Sequence, residues 1–255
     1  MEIVQYYQTK NPCYKAGKTI TPSGIVVHST GANNPSLKRY VGPDDGILGH
    51  NKNNNHWNNA SANKCVHAFI GRAADGSLKI YQTLPWNWRC WGVGSGKKGS
   101  YNATHIQFEI CEDDLTDETY YRDAFELAKQ LCAFLCKKYG IDTDSIVGHY
   151  EAAKAGYASN HADPQHWQKK HGGSMDQFRA EVKAMLGQTE QITVKEPEKP
   201  HATGYTIYTV KKGDSLWKIA NTLLGSGNRY KEIMTASDLK KDLLTVGQKL
   251  KIPKA

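Results

Sequence analysis

Apolar positions along the chain fall into short runs with two different periods. Residues 24–30 (GIVVHST) form a β-branched run bounded by Pro22-Ser23 and Gly31, the mark of a buried strand. Residues 67–82 (HAFIGRAADGSLKIYQ) predict two strands joined around Asp75-Gly76, a hairpin signal. In 104–111 (THIQFEIC) the period is two: Ile106, Phe108 and Ile110 face one way, His105, Gln107 and Glu109 the other. Residues 145–149 (SIVGH) predict a short strand ending at His149. A helical period lies between these last two. Thr116 is placed to cap it, Asp117 and Glu118 suit its positive end, and Phe125, Ala128, Leu131, Cys132, Leu135 and Tyr139 form its apolar stripe up to Gly140. A second helix is expected from Ser174, with Gln177 in capping-box position and Phe178, Val182 and Met185 on its buried side. Strands with intervening helices predict an α/β domain around a central mixed β-sheet flanked by helices. The polar or glycine-rich runs 51–63 and 92–102 predict surface loops.

The pattern breaks near Gly187, where GQTEQITVKEPEKPHATG is polar, holds two prolines and has no core-building period. The expected organisation is therefore a large domain over 1–187, a linker over 188–204 and a module over 205–255. In the module the order is strand, turn at Gly213-Asp214, helix from Ser215, second helix near 230–236 and strand at 248–252, a βααβ unit. Leu216, Ile219, Ala220 and Leu223 give its first helix an apolar face, and Asp214 and Ser215 are suitable caps.

Charge adds to this division. Of a formal net charge of +8, the residues from Tyr205 onward hold ten Lys/Arg against four Asp/Glu, a surplus of six. A basic module suits polyanions such as nucleic acid or anionic wall polymers, and equally a solvated surface. No apolar run approaches the ~18 residues of a membrane span. The first residues show no basic start followed by an apolar stretch, so no secretory signal is visible. The six cysteines contain no CxxC pair and read as small buried hydrophobes rather than a disulfide framework.

Candidate chemistry centres on histidine. His28 ends an apolar strand, His149 ends another, and Asp163 follows in NHADPQHW. Two imidazoles and one carboxylate form a donor set suited to catalytic zinc, which keeps a fourth position for water. Spacing alone is weak support, since a lone strand-end histidine is more often structural. Glu109 is either a salt-bridged strand carboxylate or a catalytic group sharing a face with His105. His67 is a candidate substrate contact or an edge-strand surface residue. Trp86, Trp88 and Trp91 have faces suited to sugar rings and equally to a core or lid. His50, His56, His171 and His201 carry no assigned task.

The order IVVHST, HAFIG, Trp91-Gly92, ATHIQFEIC, GHYE and HADP, over residues 20–170, resembles the N-acetylmuramoyl-L-alanine amidases related to phage amidase lysozymes and peptidoglycan recognition proteins. The resemblance implies that His28 and His149 are zinc ligands and that Asp163 is the third, which in that family is Asp or Cys. It implies that Glu109, in a strand motif that often reads SIGIEI, is a catalytic acid. Where the family commonly has Lys two residues before the third ligand, this chain has His161, expected to donate to an oxyanion. The loop from His149 to Asp163 is longer than the short family form, so His161 and His166 stand as alternative third ligands.

Residues 205–253 resemble a LysM domain, with YTVKKGDSLWKIA and VGQKLKIP as its ends. This implies binding of N-acetylglucosamine-containing glycan by Gly213, Asp214, Ser215 and Leu216 on one loop and by 233–239 on the other, where Ser237-Asp238-Leu239 replaces the usual Asn-x-Leu. Together the resemblances imply a zinc-dependent peptidoglycan amidase acting on a muramyl peptide, with His67 and Trp91 as further substrate contacts. A non-catalytic peptidoglycan binder on the same fold is the first rival. A metal-clipped nucleic-acid binder is the second, and it lacks Cys/His finger spacing and a basic helix in the large domain. Without a visible signal, the expected route is synthesis in the cytoplasm and action on the wall after release, as for a phage lysin, with no membrane insertion.

Overall fold

The computed structural model describes residues 1–42, 47–187, 193–195, 205–237, 239 and 241–253. The chain divides into two units, 1–197 and 198–255. The first contains, in chain order, β1 Glu2–Gln5, α1 Pro12–Ala16, β2 Gly24–Ser29, β3 Ala68–Arg72, β4 Leu78–Gln82, β5 His105–Ile110, α2 Glu118–Tyr139, β6 Ile146–Gly148, α3 His149–Ala155, α4 Gln165–Lys170, α5 Met175–Met185 and β7 Thr193–Lys195. Its strands form one mixed seven-stranded sheet in the order β6-β2-β5-β3-β4-β1-β7. All neighbouring pairs are parallel except the β3–β4 hairpin.

Strand β2 is buried along its whole length because it lies between β5 and β6 with both faces covered. On one face Ile25, Val27, Ile106, Phe108, Ile110 and Ile146 pack with the α2 stripe of Phe125, Ala128, Leu131, Cys132 and Leu135 and with Phe178 and Val182 of α5. The odd–even alternation read in β5 is thus realised as two faces of the sheet, and the opposite face presents His28, Gln107 and Glu109. A second cluster includes Tyr40, Trp57, Phe69 and Tyr81, with Trp57 edge-on to Phe69 at 5.0 Å. The 51–63 segment is therefore not purely a surface loop: it has no helix or strand, but His56, Trp57 and Asn58 are buried.

Several boundaries differ from the sequence expectation for local electrostatic reasons. Helix α2 is capped by Asp117, whose carboxylate accepts the Tyr120 N–H at 2.9 Å, whereas the Thr116 hydroxyl bonds Asp114. At α5 the Ser174 hydroxyl accepts from Gln177 N at 3.2 Å, but the Gln177 side chain bonds Glu181 instead of closing a capping box. His149 is the first residue of α3 rather than the end of β6. Within the expected linker, Thr193–Lys195 adds β7 in parallel beside β1, with Lys195 Nζ 2.9 Å from Glu2. The rest of that linker lies outside the described residues. All six cysteines are buried and unbridged.

The second unit contains β8 Tyr205–Thr209, α6 Leu216–Leu224, α7 Tyr230–Ala236 and β9 Lys249–Pro253, with β8 and β9 antiparallel. Ser215 caps α6 by accepting from Lys218 N at 3.2 Å, while Asp214 accepts from Lys211 N and the Tyr208 hydroxyl, both at 2.8 Å. Asp214 thus pins the turn that precedes the helix, and its pKa is lowered by those two bonds. The core is Val210, Leu216, Ile219, Ala220, Leu224, Ile233, Leu250 and Ile252. Among the described residues no helix is long and apolar enough to cross a membrane.

Candidate metal centre

Three elements converge at one end of the parallel strands. β2 delivers His28 in register with Glu109 of β5. β6 leads into α3, so His149 stands at the helix start, where Gly148 N donates to Glu151 Oε2 at 2.9 Å and Arg179 holds the same carboxylate at 2.9 and 3.1 Å. The chain then returns from α3, and Tyr150 N donates to the Asp163 carbonyl at 3.1 Å, which ties the loop carrying Asp163 to the first turn of α3.

His28, His149 and Asp163 are all buried, and their ligand atoms lie within 4.8 Å of one another. Nδ1 of His28 is 3.1 Å from Asp163 Oδ2, and Nδ1 of His149 is 3.3 Å from Asp163 Oδ1. Burial alone would raise the Asp163 pKa, but bonding to His149 and His28 outweighs it and holds the carboxyl well below the usual carboxylate range. Two imidazoles and an ionised carboxylate in this compass fit zinc, whose four-coordinate catalytic sites take three protein ligands.

The two alternatives for third ligand are placed differently. His161 Nδ1 is 3.6 Å from Asp163 Oδ1, and its largely exposed ring stacks on His149 at 4.4 Å. Partial burial and the neighbouring His149 lower its pKa below the ordinary histidine value, with Asp163 partly offsetting them. His166 Nε2 instead bonds Glu112 at 2.9 Å, a carboxylate that also accepts from Gly31 N.

Glu109 retains partial solvent access, yet its Oε2 is shut off from solvent with no hydrogen-bond partner. Burial, and then the nearby Asp163 carboxylate, raise its pKa well above the ordinary value, with Lys64 partly offsetting them. A carboxyl raised in this way holds its proton more tightly than an ordinary carboxylate, the direction of change that general acid–base groups show.

Other candidates sit elsewhere than expected. His67 is fully buried: its Nδ1 accepts from Gln107 N at 3.0 Å, and its Nε2 donates to the Trp88 carbonyl at 2.8 Å. Both ring nitrogens are committed to the main chain, so His67 is a core residue rather than a substrate contact. Trp86 stacks on it at 6.2 Å. Trp91 packs, half-buried, against Cys13, Cys65, Leu84 and Cys90. In the second unit Gly213 and Ser215 are exposed, but Leu216 is 2% exposed and packs in the core of that unit. Asp238 lies outside the described residues. The residue that the sequence reading left without a task is Gln107, whose side chain touches His28 at 3.1 Å. The signal was its place between His105 and Glu109 on the polar face of β5.

Burial lowers the pKa values of His67 and His105 to about 4. Between the unfolded value near 6.5 and that level, the unfolded chain binds more protons, so stability falls as pH falls, by about 1.4 kcal/mol per pH unit for each histidine. Urea unfolding between about pH 7 and pH 4.5 should show this acid loss. His105→Gln should make the slope shallower by one proton, and an unchanged slope would assign the loss to other groups.

A central mixed sheet thus gathers two histidines and an aspartate beside the ends of its parallel strands. Residues 18–166 match N-acetylmuramoyl-L-alanine amidase, and the chain belongs to that family; residues 208–253 match the LysM domain. A probable N-acetylmuramoyl-L-alanine amidase of Bacillus licheniformis is 28% identical over 133 residues, 51% of this chain and 35% of that protein. A bifunctional autolysin of Staphylococcus aureus is 28% identical over 165 residues, 62% of this chain and 11% of that protein. The chain thus spans about a third or less of these relatives' lengths. The fold is shared with the Staphylococcus aureus hydrolase AmiA, with a TM-score of 0.53 at 22% identity over 72% of this chain and 82% of that one. It is shared also with a mutant of PlyL, with a TM-score of 0.51 at 21% identity over 72% of this chain and 99% of that one.

Proposed function

We propose that this chain is a zinc-dependent peptidoglycan hydrolase that cleaves the amide between N-acetylmuramic acid and L-alanine. Residues 1–187 carry the chemistry, and 205–255, joined by the 188–204 linker, hold the wall through N-acetylglucosamine-containing glycan. The observation that carries this reading is the gathering of His28, His149 and Asp163 within 4.8 Å, with Glu109 in register beside His28.

In this reading His28, His149 and Asp163 hold the metal. Zinc, when bound, supplies Lewis acidity that polarises the scissile carbonyl and acidifies water. Glu109 takes the proton of the attacking water and later returns it to the leaving amine. His161, exposed and stacked on His149, donates a hydrogen bond to the oxyanion that forms at the carbonyl oxygen. Trp91, Gly213, Asp214 and Ser215 remain the proposed glycan and peptide contacts.

Digestion of purified sacculi with and without a chelator tests the function. Mass spectrometry should find new N-terminal alanine and free lactyl carboxyl groups, and chelation should suppress both. Stoichiometric zinc without release of peptide would favour the non-catalytic binder instead.

His161 separates ligand from donor. His161→Lys should retain zinc and keep turnover at neutral pH equal to or above the native level, because an ammonium stays charged there. Zinc loss in His161→Lys, with retention in Asp163→Ala, would replace Asp163 by His161 as third ligand and leave the amidase reading standing.

A further inference from the structure

His28 is held on both sides. Its Nδ1 faces Asp163, and its Nε2 lies 3.1 Å from Gln107 Oε1. Gln107 is fully buried on the neighbouring strand β5. Its other amide atom, Nε2, lies 3.1 Å from Asn102 Oδ1. That same Asn102 oxygen accepts the backbone N–H groups of Gly92 at 3.0 Å and Val93 at 3.2 Å, and Asn102 Nδ2 donates to the Gly94 carbonyl at 3.2 Å.

The polarity of this chain of bonds follows from its far end. A backbone N–H only donates, so the main chain at Gly92, Val93 and Gly94 decides which way the Asn102 amide points. Gln107 must then offer its NH₂ group to Asn102, which turns its oxygen toward His28. An oxygen at that place requires a proton on His28 Nε2. Nδ1 also faces an acceptor, Asp163 Oδ2 at 3.1 Å, so a protonated ring donates on both sides. In a neutral imidazole the Gln107 amide and the Asp163 carboxylate compete for the one proton, and a proton kept on Nε2 leaves Nδ1 free beside Asp163 and His149.

We propose that Gln107 is a positioning residue, braced by Asn102, that keeps the His28 proton on Nε2 and so presents Nδ1 as the ligating atom. Its metal consequence rests on the zinc reading above. Without the brace, the Asp163 carboxylate 3.1 Å from Nδ1 competes for the proton and draws it onto the atom that must ligate. The space for the brace is reserved by Gly92: a Cβ there would stand 2.2 Å from Gln107 Oε1. The clashing atom is the end of a flexible side chain, so Gly92→Ala displaces the amide without demanding a new backbone. In the SIGIEI form of the strand the place of Gln107 is a glycine, which has no amide to offer.

The test uses the full chain labelled with ¹⁵N-histidine. In the metal-free protein at about pH 9, well above the reference histidine pKa, ring ¹⁵N shifts report which nitrogen of His28 carries the proton. His28→Asn supplies the assignment. The native chain should show the proton on Nε2. Gln107→Leu and Gly92→Ala should both shift it toward Nδ1, and both should weaken zinc binding about 10–100-fold in chelator competition. A contribution to folding alone would lower the melting temperature and leave the tautomer in place. A bare Nε2 in the native chain overturns the proposal, and so does native-like proton position or native-like zinc affinity in Gln107→Leu. Should that variant fail to fold, Gly92→Ala decides by the same two readings. If the native chain takes up no zinc, the zinc reading falls, while the tautomer measurement still judges Gln107.

Discussion

His28→Ala and His149→Ala are each expected to abolish both zinc retention and release of peptide from the wall. Each leaves two donors where the site has three, and two donors hold zinc poorly against water and competing chelators. The effect should exceed that of any substitution outside the cluster, because His28, His149 and Asp163 are the group placed within 4.8 Å among the described residues. Removing either imidazole also takes away a partner that holds the buried Asp163 ionised, so its pKa should rise toward the ordinary range. Zinc content by elemental analysis and alanine release from sacculi measure the two losses, and circular dichroism checks that the fold persists. Full activity in either variant would remove the metal assignment, whatever its zinc content.

Glu109→Gln is expected to separate chemistry from binding. Zinc content and sedimentation with sacculi should match the native chain, because neither the three ligands nor the second unit is altered. Turnover should fall by about 10²–10⁴-fold, the usual cost of removing a positioned acid–base group. The folded state should lose nothing. Glu109 holds a carboxyl oxygen without a partner beside the Asp163 carboxylate, and a neutral amide of the same shape relieves that repulsion. A melting temperature at or above the native value, with activity lost, would mark stability given up for function at this position. Unchanged turnover would make Glu109 a structural carboxylate. A lower melting temperature with proportionally lower zinc content would make it a support for the ligands.

Each side of the division between sequence and tertiary structure has a physical cause. Elements with a long or regular period were legible: the α2 stripe, the alternation of β5, the apolar run of β2 and the turn chemistry at Asp75-Gly76 and Gly213-Asp214. Burial of one face imposes these periods on the sequence, so they can be read back from it. β1 and β7, at four and three residues, are too short to carry a period, and only pairing along the sheet edge makes them strands. Helix α3 was likewise hidden, and His149 looked like a strand end until the Gly148–Glu151–Arg179 contacts placed it at a helix start.

The candidate ligands were legible as residue types in a resembling order. Their convergence was not, because His28 and Asp163 are 135 positions apart and only the parallel pairing of β2 with β5 and β6 closes that distance. Tertiary structure also decided what periodicity cannot express, namely which polar atoms are already satisfied. His67 looked available in sequence, but two main-chain bonds consume its ring. Gln107 looked like an ordinary polar position on a strand, but its amide joins Asn102, itself bonded to the main chain at Gly92, to the ring of His28. Hydrophobic patterning encodes which side of an element is buried; hydrogen-bond partners between distant segments depend on how those buried sides meet in space.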